Sequence, residues 1–249
     1  MPQAILFDLY GTLLVYGDMG KAWSGWIRAM GSALDSLGVR LGEQELRSRC
    51  DGFFSRPVEP FAGLVPYECR MRSLALELGA EPSLEWCRLS AKHSMADWQR
   101  EIPLDTEALP LLKALRAKGV RLGVLTNFDY PSHVRELLEI EGLMPCLDAV
   151  VVSGEENLKK PDPRLFALAL ERLGCKAKDT VFVGDHPDQD IRGALQAGLR
   201  AVLVNRGGLK RDHVDFHLDR DPGVDGVDGY VARVPEVSSL LDLLPLLDA

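Results

Sequence analysis

At 249 residues, with 46% hydrophobic and 27% charged side chains, the chain has the composition of an ordinary folded protein, long enough to bury a sizeable core. Its formal net charge of −8, with no Lys/Arg run longer than two, argues against a nucleic-acid surface, which needs concentrated basic charge. No apolar stretch approaches the roughly 18 residues of a membrane span, no signal-peptide pattern opens the chain, and Cys50, Cys69, Cys87, Cys146 and Cys175 form no C-x-x-C pair; the expectation is a cytoplasmic protein with free, mostly buried thiols and no membrane partner.

The first element is the apolar run Ala4-Ile5-Leu6-Phe7, which reads as a strand delivering Asp8 into the turn Leu9-Tyr10-Gly11-Thr12. From about Lys21 to Arg100 the pattern becomes helical. Trp23, Trp26, Ile27, Met30, Ala33, Leu34 and Leu37 recur at helical spacing before Gly38, and further helices are expected at about 43–54, 65–79 and 82–99. Counted from Val15 to Arg100, this part of the chain holds 11 Lys/Arg and 11 Asp/Glu, so the rest of the chain carries the whole negative excess.

From Asp105 the pattern alternates. Helices are expected at about 106–118, 130–141, 162–173 and 188–197, and strands at 120–125, 147–152, 180–183 and 201–204. Such alternation predicts right-handed crossovers and a parallel sheet. Residues 205–228, rich in Gly and Asp, read as a long loop; Asp219, Asp221 and Asp225 do not match a calcium loop. A last helix is expected from about Pro235 to Leu246.

The first strand must join the later ones, so the helical block is an insertion. The expected architecture is an α/β doubly wound, Rossmann-like core (residues 1–15 and 101–249) with an inserted all-helical cap (residues 16–100).

Open parallel sheets bind ligands outside the carboxyl ends of their strands. Those ends carry Asp8, Tyr10, Gly11 and Thr12; then Thr126 and Asn127; then Lys160, close to the third strand; then Gly184, Asp185, His186, Asp188, Gln189 and Asp190. Taken singly, such residues serve as caps, Asp188 and Thr126 being good examples. Taken together they are two acidic loops, a lysine and a hydroxyl. If Asp8, Asp185 and Asp190 converge, one lysine cannot balance them and an anionic substrate, whereas a hard divalent cation such as Mg²⁺ can.

Asp8-Leu9-Tyr10-Gly11-Thr12, Thr126 at the second strand's end, Lys160 before Pro161-Asp162-Pro163, and Gly184-Asp185 with Asp190 resemble, in order and spacing, the four motifs of the haloacid dehalogenase superfamily. The resemblance implies that Asp8 is a nucleophile forming an aspartyl intermediate, later hydrolysed. It also implies a Mg²⁺ site made by Asp8, the Tyr10 carbonyl and Asp185, with Asp190 as a further or water-mediated ligand. Thr126 and the amide of Asn127 would hold a phosphoryl oxygen, and Lys160 would neutralise substrate and nucleophile. The implied partner is a small, anionic, phosphorylated molecule.

Two departures point in opposite directions. Phosphatases of the superfamily usually place a second Asp where this chain has Tyr10, so the expected leaving-group acid is missing, a loss of typically about 10² to 10⁴ in rate. Tyrosine at that place is what 2-haloacid dehalogenases carry. Those enzymes, however, work without metal and have a Ser-Ser-Asn type segment in place of Gly184-Asp185. The fourth motif carries more weight, because uncompensated carboxylates would repel a haloacid. The leading expectation is therefore a phosphoryl hydrolase without an Asp general acid. A metal-independent 2-haloacid dehalogenase, for which Arg28 is a halide-binding candidate, and a non-catalytic phosphate- or metal-binding regulatory protein are the alternatives.

His186 beside Asp185 is either an acid–base group or a loop residue. Trp23 and Trp26, with Tyr16, read as cap packing ahead of a substrate entrance. Arg28, Arg56, Arg70 and Arg72 default to a solvated face. His93, His133, His213 and His217 lack ligand spacing.

Overall fold

The structure, a computed structural model, describes residues 1–207 and 227–248. The described chain folds as two compact units: Met1–Val15 with residues 104–207 and 227–248, and the intervening Tyr16–Pro103.

The first unit is built on six strands, β1 (Ala4–Phe7), β2 (Arg121–Thr126), β3 (Ala149–Val152), β4 (Thr180–Gly184), β5 (Arg200–Val204) and β6 (Glu236–Val237). They pair in parallel in the order β3-β2-β1-β4-β5-β6. Every residue of β1 and β4 is buried, as expected of strands covered on both faces. Alternation sends Ala4 and Leu6 to one side, where they join Phe182, Leu125, Leu165, Phe166 and Ala194 in a core cluster, and Ile5 and Phe7 to the other. Phe166 and Phe182 meet edge to face at 5.3 Å.

The helices of the two units are, in chain order, α1 (Met19–Asp35), α2 (Glu43–Arg49), α3 (Pro66–Glu77), α4 (Leu84–Gln99), α5 (Ala108–Ala117), α6 (Pro131–Ile140), α7 (Ser153–Glu156), α8 (Pro163–Leu173), α9 (Gly193–Gln196), α10 (Val227–Val231) and α11 (Leu243–Asp248). The first four form the second unit, where the expected insertion is indeed all-helical among the described residues. Asp18 and Ser83 cap α1 and α4 by accepting from the amides of Lys21 and Trp86. Trp26, fully buried, donates its indole N–H to the Tyr67 hydroxyl at 2.6 Å, and Trp23 stacks on Trp26 at 4.9 Å. These two tryptophans are thus packing residues of the helical unit. Arg70 is buried and donates to the carbonyls of Phe53 and Arg56, Arg56 donates to those of Arg49 and Asp51, and Arg72 lies over the Phe61 ring; Arg28 is exposed.

Several sequence expectations are corrected. The last expected helix, from Pro235, is instead strand β6, a 3₁₀ turn at Leu240–Asp242 and α11. The expected 188–197 helix begins one residue earlier with a π-helical turn, Pro187–Arg192, that runs into α9. Its N-cap is His186, not Asp188, which pairs with Arg192. Tyr130, not Thr126, occupies the N-cap position of α6. α10 begins within the expected loop; Asp219, Asp221, Asp225, His213 and His217 lie outside the described residues. All five thiols are free, and all but Cys175 are buried. No helix among the described residues is long and apolar enough to cross a membrane.

Candidate active site

Chain order reverses direction across the sheet at β1, with β2 and β3 added on one side and β4 to β6 on the other. The crevice at such a switch point, beyond the strands' carboxyl ends, is where open α/β sheets bind ligands. Asp8 leaves β1 there, and Asp185 leaves the adjacent β4. Registration of Phe7 with Val183 fixes their spacing, and the Asp8 amide donates to the Val183 carbonyl at 2.8 Å.

The turn after Asp8 closes on itself. The amides of Thr12 and Leu14 both donate to the Leu9 carbonyl, and that of Gly11 to Leu14. Gly11 has φ +92°, and a Cβ there would lie 2.4–2.8 Å from the Asp185 carboxylate. Gly184 is constrained in the same way, since its Cβ would meet the Asp190 carboxylate at 2.4 Å. Glycine at both positions lets the two acidic loops approach.

Asp8, Asp185 and Asp190 each offer a carboxylate oxygen, all within 4.8 Å of one another. Lys160 is buried between two of them, its Nζ donating to Asp8 at 2.6 Å and to Asp190 at 2.7 Å. Asp190 also accepts from the His186 amide at 2.9 Å. Burial pushes the Asp8 carboxyl up to about 6 against the pull of Lys160, with the Asp190 charge adding to the rise. Asp185 is pushed well above the usual carboxylate range by burial and by the charges of Asp8 and Asp190. For Lys160, burial works against the charge, but Asp190 and Asp8 outweigh it and raise its pKa. Asp8 and Asp190, buried on one ammonium, and Asp185, partly buried beside them, are thus a donor set that fits a hard divalent cation, whose charge would offset their mutual repulsion.

The remaining expected residues gather around the same strand ends. Thr126 is buried at the end of β2. Asn127 has a role that strand-end reading alone does not show. Its amide nitrogen donates to the Lys160 carbonyl and to Gln189 Oε1, each at 2.9 Å, and its Oδ1 accepts from the Lys160 amide at 2.8 Å. It therefore clamps the backbone that carries the lysine. Gln189, one of the strand-end residues, joins this clamp, and Ser153, whose hydroxyl accepts from the Phe128 amide at 2.9 Å, is a further member that its sequence position alone does not assign.

The Tyr10 ring is buried and stacks on Phe128, centroids 4.6 Å apart and planes 11° from parallel. Burial, reinforced by the Asp8 charge, raises its phenol well above the ordinary value near 10, so it is a poorer acid than a free tyrosine. Phe128 in turn stacks on His133, whose pKa burial lowers to about 4. His186 Nδ1 accepts from the amides of Asp188 and Gln189 at 3.2 and 3.1 Å, leaving its proton on Nε2. It is a helix cap, which is the loop reading of that residue in more specific form.

An α/β sheet whose switch point gathers carboxylates around one lysine defines a doubly wound protein with a site suited to a cation and an anionic ligand. A model of the haloacid dehalogenase-like hydrolase family matches residues 2–198, and the chain belongs to that family. It is 38% identical over 184 residues, 73% of this chain and 68% of the other, to a phosphoserine phosphatase of Thermus thermophilus. Among solved structures it resembles a phosphatase of the family from Thermococcus onnurineus (TM-score 0.65, 25% identity, 98% and 97% of the two chains). It also resembles a 2-haloacid dehalogenase from Pseudomonas syringae (TM-score 0.64, 28% identity, 100% and 99%).

Proposed function

We propose that the protein is a Mg²⁺-dependent phosphohydrolase that acts on a small phosphate monoester through an aspartyl-phosphate on Asp8. The observation that carries this reading is the presence of Asp185 beside Asp8 and Asp190 with Lys160 as the cation bonded into the cluster. Asp8, the Tyr10 carbonyl and Asp185, with Asp190, are the groups that would hold Mg²⁺, which when bound supplies positive charge to the phosphoryl oxygens.

Asp8 attacks phosphorus through one carboxylate oxygen as the ester P–O bond breaks, and the bonding pair leaves on the ester oxygen, which departs as an anion and takes its proton from water. Lys160 steadies the charge on Asp8 and on the transferring group, with Thr126 and the backbone amide of Asn127 on a phosphoryl oxygen. Water then attacks phosphorus, releasing phosphate and restoring the carboxylate. Tyr10 is ill suited to protonate the departing ester oxygen, so esters whose leaving group is stable as an anion react fastest. The helical unit acts as the cap that selects the substrate. Similarity to a phosphoserine phosphatase and to a family phosphatase supports the substrate class.

Hydrolysis of p-nitrophenyl phosphate in Mg²⁺ is the test. Activity should vanish with chelator and in Asp8→Asn, and fall by roughly 10² or more in Asp185→Ala; robust turnover in chelator refutes the reading.

The second reading, a metal-free 2-haloacid dehalogenase, is favoured by Tyr10 and by the likeness to the Pseudomonas syringae enzyme. Its mark is halide release from 2-chloropropionate in chelator.

A further inference from the structure

We infer that Arg206 is a positioning residue that holds the nucleophile turn, and through it the spacing of Asp8 and Asp185. This rests on Asp8 being the nucleophile.

Arg206 follows β5 by two residues, and its guanidinium is only partly exposed. One terminal nitrogen donates to the Gly11 carbonyl at 2.5 Å. The other donates to the Thr12 carbonyl and to the Asp105 carboxylate, both at 2.7 Å. The amides of Gly11, Thr12 and Leu14 are satisfied inside the turn, so its carbonyls look outward for partners. The next carbonyl, Leu13, accepts from the Asp105 amide at 2.9 Å. Three successive carbonyls are thereby tied to one ion pair, Arg206–Asp105.

The chemistry of the site makes that tie consequential. Gly11 lies so close to the Asp185 carboxylate that a single added carbon would collide with it. A shift of the turn by a few tenths of an ångström therefore moves the backbone of Tyr10 and Gly11 against Asp185, and Asp8 with it. A planar guanidinium can reach two carbonyls and a carboxylate at once from a fixed fork, whereas an ammonium on a flexible stem cannot hold the same geometry. Nothing in the sequence marks Arg206, which opens the Gly- and Asp-rich stretch and lies 195 positions from its first partner.

The experiment compares wild type, Arg206→Lys and Arg206→Ala in the full chain, by hydrogen exchange and by steady-state hydrolysis of p-nitrophenyl phosphate, with and without millimolar guanidinium. In Arg206→Ala the amides of residues 9–14 should exchange faster while those of β2 and β4 stay protected. Its kcat should fall roughly 10- to 100-fold with KM within about twofold, and guanidinium should restore part of kcat; Arg206→Lys should fall between. Unchanged kcat, unchanged exchange at 9–14, or exchange that rises across the whole sheet without guanidinium rescue overturns the inference. If the wild type hydrolyses no phosphate ester, the hydrolase reading fails instead, and the exchange at residues 9–14 still decides whether Arg206 holds the turn.

Discussion

Tyr10 divides its place in the site between backbone and side chain. Its carbonyl belongs to the turn that carries Asp8, while its ring is buried against Phe128. Tyr10→Phe keeps both, so phosphatase activity should stay within about threefold of wild type, since no acid step is lost. Tyr10→Asp should raise the ratio of alkyl- to aryl-phosphate turnover by supplying a leaving-group acid. It should also lower stability by about 1–3 kcal/mol, read as a drop in denaturation midpoint, because a stacked aromatic is replaced by a buried carboxyl. Gly184→Ala is the complementary probe: its methyl must displace the Asp190 carboxylate, so Lys160 loses one partner. Activity should fall roughly 10-fold or more with the fold kept, and near-wild-type turnover would show that Asp190 is dispensable. Asp8 and Asp185 were legible because each directly follows a strand, and Lys160 and Asp190 because their order and spacing complete the set of motifs, although both lie well past the ends of β3 and β4. Asn127's clamp was not, because it depends on a loop 33 residues away.

At the scale of elements, the long periodic segments stand in the sequence much as they stand in the fold, and the short ones do not. Strand β6 has two residues and, among the described residues, pairs only with β5; two are too few for any alternation to register. The π-helical turn at Pro187–Arg192 reads as ordinary helix, because its widened turn is closed by a backbone bond, the Ile191 amide donating to the His186 carbonyl, that no side-chain period reports. Packing between α8 and α9 is tight at Gly193, where a Cβ would stand 2.8 Å from the Phe166 ring and 3.1 Å from Pro161. Gly193→Ala should therefore destabilise by about 1–3 kcal/mol and also depress kcat, since Pro161 adjoins Lys160. Urea denaturation with parallel kinetics checks this, and a stable, fully active variant would mean that α9 can shift without disturbing the lysine.

For the molecule as a whole, titration couples the site to stability. Folding raises Asp8 from 3.8 to about 6 and Asp185 in the same direction. The native state therefore holds protons that the unfolded chain releases, and metal-free stability should fall as pH rises from about 4 through 6. His133 acts oppositely: lowered from 6.5 to about 4, it favours the native state above 6.5 and withdraws that contribution as pH falls toward 4. Melting curves should accordingly show Mg²⁺ raising the midpoint more at pH 8 than at pH 5, and His133→Phe should flatten the acid limb. An equal Mg²⁺ effect at both pH values would argue that the carboxylates are not its site. The sequence by itself determined the fold class and the ordered set of strand-end groups. Parallel strands buried on both faces need unbroken apolar runs, and helices need a 3.6-residue period, both of which are local patterns. Only tertiary structure decided the charge balance around Lys160, the burial that raises the Tyr10 phenol well above its ordinary value, and the tie from Arg206 to the turn after Asp8. Those depend on desolvation and on contacts across 118 to 195 positions, which no local pattern encodes.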